Sequence, residues 1–400
     1  MKRRILASAG KAGKTSENNG TEQKPERLKS SRRKSIPLKP GDFALTALVM
    51  MLVIFGVIMV FSASYYSALS KTGNAYAYLI RDGIWAVAGL IAMFVLSRIN
   101  YKTYRKWAFP ILIASIILLI ALFIPHVGTT TNGATRWIEL GPITIMPGEI
   151  AKIAAIIFVS SYLSTSAEKI YQLKSVLFLL ALCGIFGGLI MFQPNMSTAI
   201  TVVGIIVAIM FVAGLELKYL GAAGVLGVVA GCLLIFTDKD GYRLSRAVSF
   251  TDPFADPLGD GYQVCQSLLA LGSGGLFGLG LGKSIQKNLY LPEPQNDFII
   301  AIIGEELGFI GVLLLMAAYL VLIWRCVHIC INAPDRFSML LASGITSMLA
   351  IQVILNIAVV TSSMPPTGII LPFVSYGGNA LLIFTGAMGI MLNISHHSAK

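Results

Sequence analysis

The feature that most constrains this chain is a series of ten apolar runs, at residues 43–63, 79–96, 109–124, 148–164, 175–192, 197–214, 219–236, 299–324, 337–360 and 371–393. A helix needs about 20 apolar residues to cross the hydrocarbon core of a bilayer, and the runs cluster around that length. A soluble fold could not bury so much apolar surface: 56% of the residues are hydrophobic and 12% charged, with a mean hydropathy of +0.76. The expected fold class is therefore all-α, a polytopic membrane protein with about ten transmembrane helices and a long extracellular loop between helices 7 and 8.

Residues 1–40 hold twelve basic and three acidic residues and no apolar run. They cannot build a core and read as a disordered basic cytoplasmic tail. The tail supplies +9 of the +12 net charge, which leaves the rest nearly balanced and excludes a nucleic-acid-binding core. It is too long and polar for the n-region of a signal peptide, and no small-residue cleavage site follows the first run, so that run should remain as a span. With the tail inside, the alternate loops 97–108, 165–174, 215–218 and 325–336 carry Arg98, Lys102, Arg105, Lys106, Lys169, Lys174, Lys218, Arg325 and Arg336. This satisfies the positive-inside rule, and an even number of spans returns residues 394–400 to the cytoplasm after a membrane domain of residues 41–393. The tail either touches anionic lipid at the inner leaflet or only fixes orientation.

The same orientation places residues 237–298 outside, as one unusually long connection. It starts with Lys239, Arg243 and Arg246, passes the turns Asp252-Pro253 and Asp256-Pro257, and includes Tyr262 to Leu269, whose apolar residues recur at helical spacing suited to lying flat on a membrane. No strand precedes the glycine run 272–282, so turn and packing glycines explain it better than a dinucleotide site. Of five cysteines only Cys265 falls outside, which predicts no intrachain disulfide. Cys326, His328 and Cys330 lack a second ligand pair and read as ordinary packing rather than a metal site.

Charged and irregular segments at the ends of spans are costly, and four stand out. In 132–152, Pro147 can open a helix, and Glu149 and Lys152 fall three apart on one face; an ion pair explains them, as does a phosphate site formed with Arg136. Gln193-Pro194-Asn195 makes a short polar turn. In 290–306, Glu293 and Asp297 lie at the outer start of a span, with Glu305 and Glu306 deeper, where only a partner or a water-filled cavity makes them tolerable. Prolines and glycines break the pattern in 361–379, and irregular backbone at that depth must be buried in protein or line a cavity.

These segments, read as ATRWIELGP, PGEIAK, QPN, YRLSR, GYQ, YLPEPQNDFIIAIIGEELGFIG and LPFVSYGG, resemble the SEDS family (shape, elongation, division and sporulation) over nearly all of residues 41–393. YLPE, DFI, GEELG and PFVSYGG together are closer to its FtsW/SpoVE branch than to RodA. The resemblance implies a peptidoglycan glycosyltransferase that polymerises lipid II into β-1,4-linked strands on the outer face of the bacterial cytoplasmic membrane. It implies Asp297 as the catalytic carboxylate and Arg136, Glu149 and Lys152 in the substrate site. Gln193, Arg243, Gln263, Glu305, Ser375 and Tyr376 join them as substrate-binding candidates from the matched motifs. The implied partners are a class B penicillin-binding protein acting as transpeptidase and other divisome membrane proteins, with no nucleic acid, and the implied place is the division septum. No cofactor is required by the residues; a divalent cation, magnesium or manganese, is the one candidate. Two positions depart from the family pattern: QPSE reads Met146 to Glu149 (MPGE), and the aspartate of QPD is Asn195.

A lipid II flippase is the competing reading, since a polar cavity within a helix bundle also suits a translocator. A scaffold that recruits division proteins through its tail and loops is a third. A flippase needs polar groups along the full depth, whereas those above gather in the outer half.

Overall fold

A computed structural model describes residues 41–398 except 126, 132–133, 142, 217, 220, 222–223, 225–249 and 260. The basic tail, most of the expected span 219–236, and Lys239, Arg243 and Arg246 lie outside the described residues.

Among the described residues nine of the ten apolar runs become helices, α1 (Phe43–Thr72), α2 (Ala77–Arg98), α3 (Lys102–Ala121), α4 (Pro147–Ser164), α5 (Leu173–Met191), α6 (Met196–Val212), α8 (Ile299–Ile331), α9 (Arg336–Val360) and α10 (Gly378–His396), and a further helix, α7 (Tyr262–Ser273), forms within the long connection 237–298. Among the described residues seven of these, α1, α2, α3, α5, α8, α9 and α10, are long and apolar enough to cross a membrane. The 17-residue α6 is shorter, and α4 packs among α3, α6 and α9. Side-chain polarity is arranged as lipid demands: Ile54, Ile84, Phe94, Ile117, Leu314 and Leu320 are exposed, while Glu149, Lys152, Gln352, Asn356 and Glu306 are buried.

Local chemistry sets the boundaries. Asp42 caps α1 by accepting from the Leu45 amide at 2.9 Å, and Gly73 ends that helix at φ 70°. Pro147 occupies the first turn of α4, where its missing N–H costs nothing. Asp335 and Ser338 form a capping box on α9.

Hydrogen bonds between chain turns define the two ends of the bundle. At one end Arg325 pairs with Asp42 at 2.8 Å, the Asp42 amide donates to Ser395, and Tyr101 between α2 and α3 bonds both Asp335 and Asn393. The start of α1, the α2–α3 and α8–α9 turns and the end of α10 thus meet there. The α5–α6 turn, the segment before α8, the α9–α10 connection and a small sheet collect at the other end. That sheet is an antiparallel meander of β1 (Gly128–Thr131), β2 (Ala134–Leu140) and β3 (Ile143–Ile145), pairing Trp137 with Thr129 and Ile138 with Ile145. The pattern of apolar runs predicts no strand here.

The segment after α7 explains the glycine run. The amides of Leu279 and Gly280 donate to the carbonyls of Glu305 and Glu306, and those of Phe309 and Ile310 to Gly275 and Leu276. Residues 274–280 therefore fill a break in α8 at Gly308, whose φ of 70° departs from the helix. A Cβ on Gly308 would lie 2.3 Å from the Gly278 nitrogen, so no side chain fits.

Candidate functional site

The end of the bundle that carries the sheet encloses a cavity of about 450 Å³. Many elements reach it, among them α2, α9 and α10 through Trp85, Gln352 and Asn379. β2 brings Arg136 and Trp137, and α4 opens on it with Met146 and Glu149, with Lys152 one turn on. α6 contributes Ser197, Thr198 and Thr201 below Asn195, α7 contributes Gln263, and the segment before α8 contributes Glu293, Asn296 and Asp297. The backbone of 366–370 and Tyr376 complete the wall.

Asp297 lies just before Phe298, the residue that caps the N-terminus of α8, and is half-buried. A point one Cβ bond from Gly368, whose φ is 72°, lies 3.5 Å from Asp297 Oδ2 and 3.9 Å from Arg136 Nη1. A carboxylate and a guanidinium thus converge beside a residue that has no side chain to separate them from a ligand. Arg136 is held by donating to the Pro194 carbonyl, so the QPN turn positions it.

Behind them lies a buried ion pair. Lys152 Nζ donates to Glu149 Oε1 at 2.6 Å and to Gln352 Oε1 at 2.8 Å, with both charged side chains at most 5% exposed. Glu149 Oε2 has no partner among the described residues. Of the two readings of this pair, an ion pair or a phosphate site formed with Arg136, the geometry shows the ion pair, and Lys152 lines the cavity while paired with Glu149.

Residues that the sequence did not single out support this centre. The Asn356 amide donates to the Asp297 carbonyl at 2.9 Å and to the Ile369 carbonyl at 2.6 Å, and Gln352 donates to the Ile370 carbonyl at 3.2 Å. Two amides four residues apart on α9 therefore fix both the base of Asp297 and the 369–370 wall. Their spacing on one face of an apolar span was the available signal. Arg81 on α2 lines the cavity and is exposed, with no ion pair among the described residues. Next to it the Gly377 amide donates to buried Asp82, whose Oδ1 has no partner among the described residues. Tyr376 packs edge-on against Tyr78 with centroids 5.0 Å apart. Burial pushes its hydroxyl up and nearby Arg81 pulls it partly back, so it remains a neutral donor at pH 7.

Of the expected set, Asp297, Arg136, Glu149, Lys152, Gln263 and Tyr376 come together around the cavity. Three others do not line it. Gln193 is buried and donates to the Leu119 carbonyl at 3.1 Å. Ser375 accepts from the Leu371 amide and shapes its own turn. Glu305 accepts from the Ser284 hydroxyl at 2.5 Å and from the Ile285 and Gln286 amides at 2.9 and 3.3 Å. Adjacent Glu306 pairs with Lys287 at 2.7 Å and accepts from Ser62 at 2.7 and 2.8 Å. Both deep carboxylates have partners in protein, so they pin residues 284–287 onto α1 and α8 and need no water-filled cavity. Arg243 lies outside the described residues. Asn195 caps α6 by accepting from the Thr198 amide and the Ser197 hydroxyl, each at 3.3 Å, a task that an amide oxygen performs as well as a carboxylate. Cys326 is buried and Cys330 half-buried among packed helices, and among the described residues no three His, Cys, Asp or Glu side chains could share a metal ion.

Fold and site together define a polytopic membrane protein whose helix bundle carries a charged cavity at one end. The family model described as "Cell cycle protein", for FtsW, RodA and SpoVE, matches residues 43–400, and the chain belongs to that family. It is 41% identical over 359 residues to stage V sporulation protein E of Bacillus subtilis (strain 168), covering 89% of this chain and 97% of that one. It is 38% identical over 355 residues to a probable peptidoglycan glycosyltransferase FtsW of Geobacter sp. (strain M18), covering 88% and 96%. Among solved structures, a chain from work on structural coordination of polymerization and crosslinking by a peptidoglycan synthase complex superposes with a TM-score of 0.72 at 26% identity, over 90% of this chain and 99% of that one.

Proposed function

We propose that this protein is a peptidoglycan glycosyltransferase that polymerises lipid II at the outer face of the cytoplasmic membrane. The observation that carries the reading is the convergence of Asp297 and Arg136 beside Gly368 in the cavity at one end of the bundle. Lipid II carries an α-linked sugar pyrophosphate and the product is β-1,4-linked, so a single inverting displacement suffices. The acceptor 4-hydroxyl oxygen bonds to the anomeric carbon of the donor while the bond to the pyrophosphate breaks, and the lipid pyrophosphate leaves with the electron pair. Asp297 takes the hydroxyl proton as general base. Arg136, joined by Arg81 in the lining of the same cavity, stabilises the charge that grows on the leaving group. The neutralised Lys152–Glu149 pair holds α4 against α9 and keeps that wall rigid. A divalent cation, magnesium or manganese, would add to the stabilisation of the pyrophosphate charge.

The charges of the cavity lie at one end of the spans, which supports chemistry at a surface over translocation through the full depth. Arg98, Lys102, Arg105, Lys106, Arg325 and Arg336 lie at or beside the helix ends opposite the cavity. By the positive-inside rule that end is cytoplasmic, the cavity faces outward, and both termini are inside. The close relation to FtsW and sporulation proteins supports a role at a division septum with a class B penicillin-binding protein as transpeptidase partner and other divisome membrane proteins around it. The test is polymer formation from lipid II by purified protein, alone and with such a partner. Asp297→Asn should lower the rate by about 10²–10⁴ with normal membrane abundance. Near-normal polymer yield from that variant would remove the assignment.

A further inference from the structure

The end of the bundle opposite the cavity holds a second recess, of about 390 Å³, lined by Lys102, Arg105, Lys106, Asp335 and Phe337. Its three cations sit at i, i+3 and i+4 in the first turns of α3, hence on one helix face. They are exposed, and among the described residues none forms an ion pair. The one carboxylate of the recess is already engaged. Asp335 accepts from the Tyr101 hydroxyl at 2.5 Å and from the Ser338 amide at 2.9 Å.

This arrangement is unfavourable for the helix by itself. Like charges at i, i+4 repel, and the N-terminus of a helix carries partial positive charge that prefers acidic neighbours. The first turn of α3 has none. Three cations, a helix N-terminus and a concave surface all add potential of one sign, which an external anion would relieve. What that anion is attached to follows from the rest of the helix face. Continuing the same stripe at helical spacing, α3 presents Phe109, Ile113, Ile117 and Ile120, all exposed. A cationic recess at the head of an uncovered apolar stripe matches a molecule with an anionic head and an apolar body.

We propose that this recess binds the phosphodiester headgroup of an anionic phospholipid, with the acyl chains lying along the exposed face of α3. Arg105 offers a planar fork to two phosphate oxygens, and Lys102 and Lys106 act as point charges on either side. Asp335 faces the headgroup beyond the phosphate, where it favours a headgroup that carries hydroxyl donors over one that carries a second anion.

The experiment uses the full chain purified in neutral detergent, with phosphatidylglycerol or phosphatidylcholine added in mixed micelles. Bound lipid is counted by native mass spectrometry, and the thermal unfolding midpoint is followed. Phosphatidylglycerol should be retained and should raise the midpoint, and phosphatidylcholine should not. Arg105→Gln/Lys106→Gln should weaken phosphatidylglycerol binding about thirtyfold, from the usual contribution of each cation near an anionic surface. Lys169→Gln/Lys174→Gln, the same charge change on another loop, should leave binding intact. Should the first double variant fail to accumulate, Lys106→Gln alone, at an exposed position, should weaken binding about fivefold, and Arg105→Lys/Lys106→Arg should retain it. Equal losses in the two Gln double variants, or equal retention of both lipids, would overturn the site. So would glycerol phosphate or inorganic phosphate reproducing the shift at the same concentration, because the recess would then take a free anion and not a lipid.

Discussion

Replacing Lys152 by methionine isolates the buried ion pair at the base of the cavity. Met keeps the length of the side chain, so the volume between α4 and α9 is nearly conserved and the change is electrostatic. Three interactions end: the 2.6 Å bond to Glu149, the 2.8 Å bond to the Gln352 carbonyl oxygen, and the contact of the ammonium with the Phe384 ring at 5.8 Å. The greater cost lies in the carboxylate left behind. Glu149 is only 4% exposed, and its second oxygen already lacks a partner among the described residues. An uncompensated buried charge of this kind costs about 3–5 kcal/mol, a large share of a total stability of about 5–15 kcal/mol. Lys152→Met should therefore reduce membrane abundance several-fold and lower the thermal unfolding midpoint of purified protein, whereas Lys106→Met, on an exposed helix face, should change stability by no more than about 0.5 kcal/mol. Removing both charges separates the explanations. Glu149→Gln/Lys152→Met leaves no buried charge and should recover about 2–3 kcal/mol relative to the sum of the single variants. Equal and mild effects of Lys152→Met and Lys106→Met would refute the argument, and so would additivity in the double variant, since either means that the pair is not coupled in a low-dielectric interior.

Three further outcomes are expected. Deleting residues 1–38, which carry no apolar face, should leave the polymerisation rate of correctly inserted protein unchanged; a catalytic loss would give the tail a role beyond orientation. A cysteine at Leu258, 88% exposed beyond the cavity end, should react with an impermeant thiol reagent on intact cells while one at Asn332 should not, and the reverse pattern would put Asp297 inside and end the polymerase reading. Native Cys265 is replaced by Ser in that test, although burial and the neighbouring Asp252 and Asp256 push its thiol up and slow its reaction. Burial raises the Asp335 carboxyl, but bonds from Tyr101 and Ser338 and the charge of Lys102 outweigh it and hold it below its usual range. Its contribution to stability is therefore present above about pH 4, the ordinary carboxylate value, and is lost as pH falls through the depressed one. Asp335→Asn, which keeps the cap without the charge, should flatten the loss of unfolding midpoint between about pH 5 and pH 2, and an unchanged acid limb would contradict this.

What the sequence disclosed and what it withheld follow from the range of the forces involved. Helices are written locally, so α2, α4, α6 and α9 begin and end within two residues of the expected runs, and Pro147 marked the start of α4. α1 outruns its apolar stretch by about two turns, in which the small residues Ser64, Ser67 and Ala68 are buried and Lys71 pairs with Glu293, 222 residues away, contacts that no apolar periodicity encodes. The sheet at 128–145 was hidden by the search for 20-residue runs, although the alternation in TRWIEL and ITI around Gly141 was its signal. The carboxylate of Asp297 and the guanidinium of Arg136 drew notice because charges at the ends of spans are expensive, and the family resemblance gave them their roles. Their mutual placement was not legible, since it depends on Gly368 leaving space, on the Pro194 carbonyl holding the arginine, and on Asn356 holding the Asp297 backbone. Glu305, which does not line the cavity, shows the same limit in reverse. Cost alone shows that a buried carboxylate must have partners, and it does not say whether those partners are a substrate or, as here, Ser284 and two backbone amides some 20 residues earlier. A charge in a span is thus a reliable pointer to a polar contact, and only the three-dimensional arrangement of its partners separates a group that reacts from one that holds the reacting loop in place.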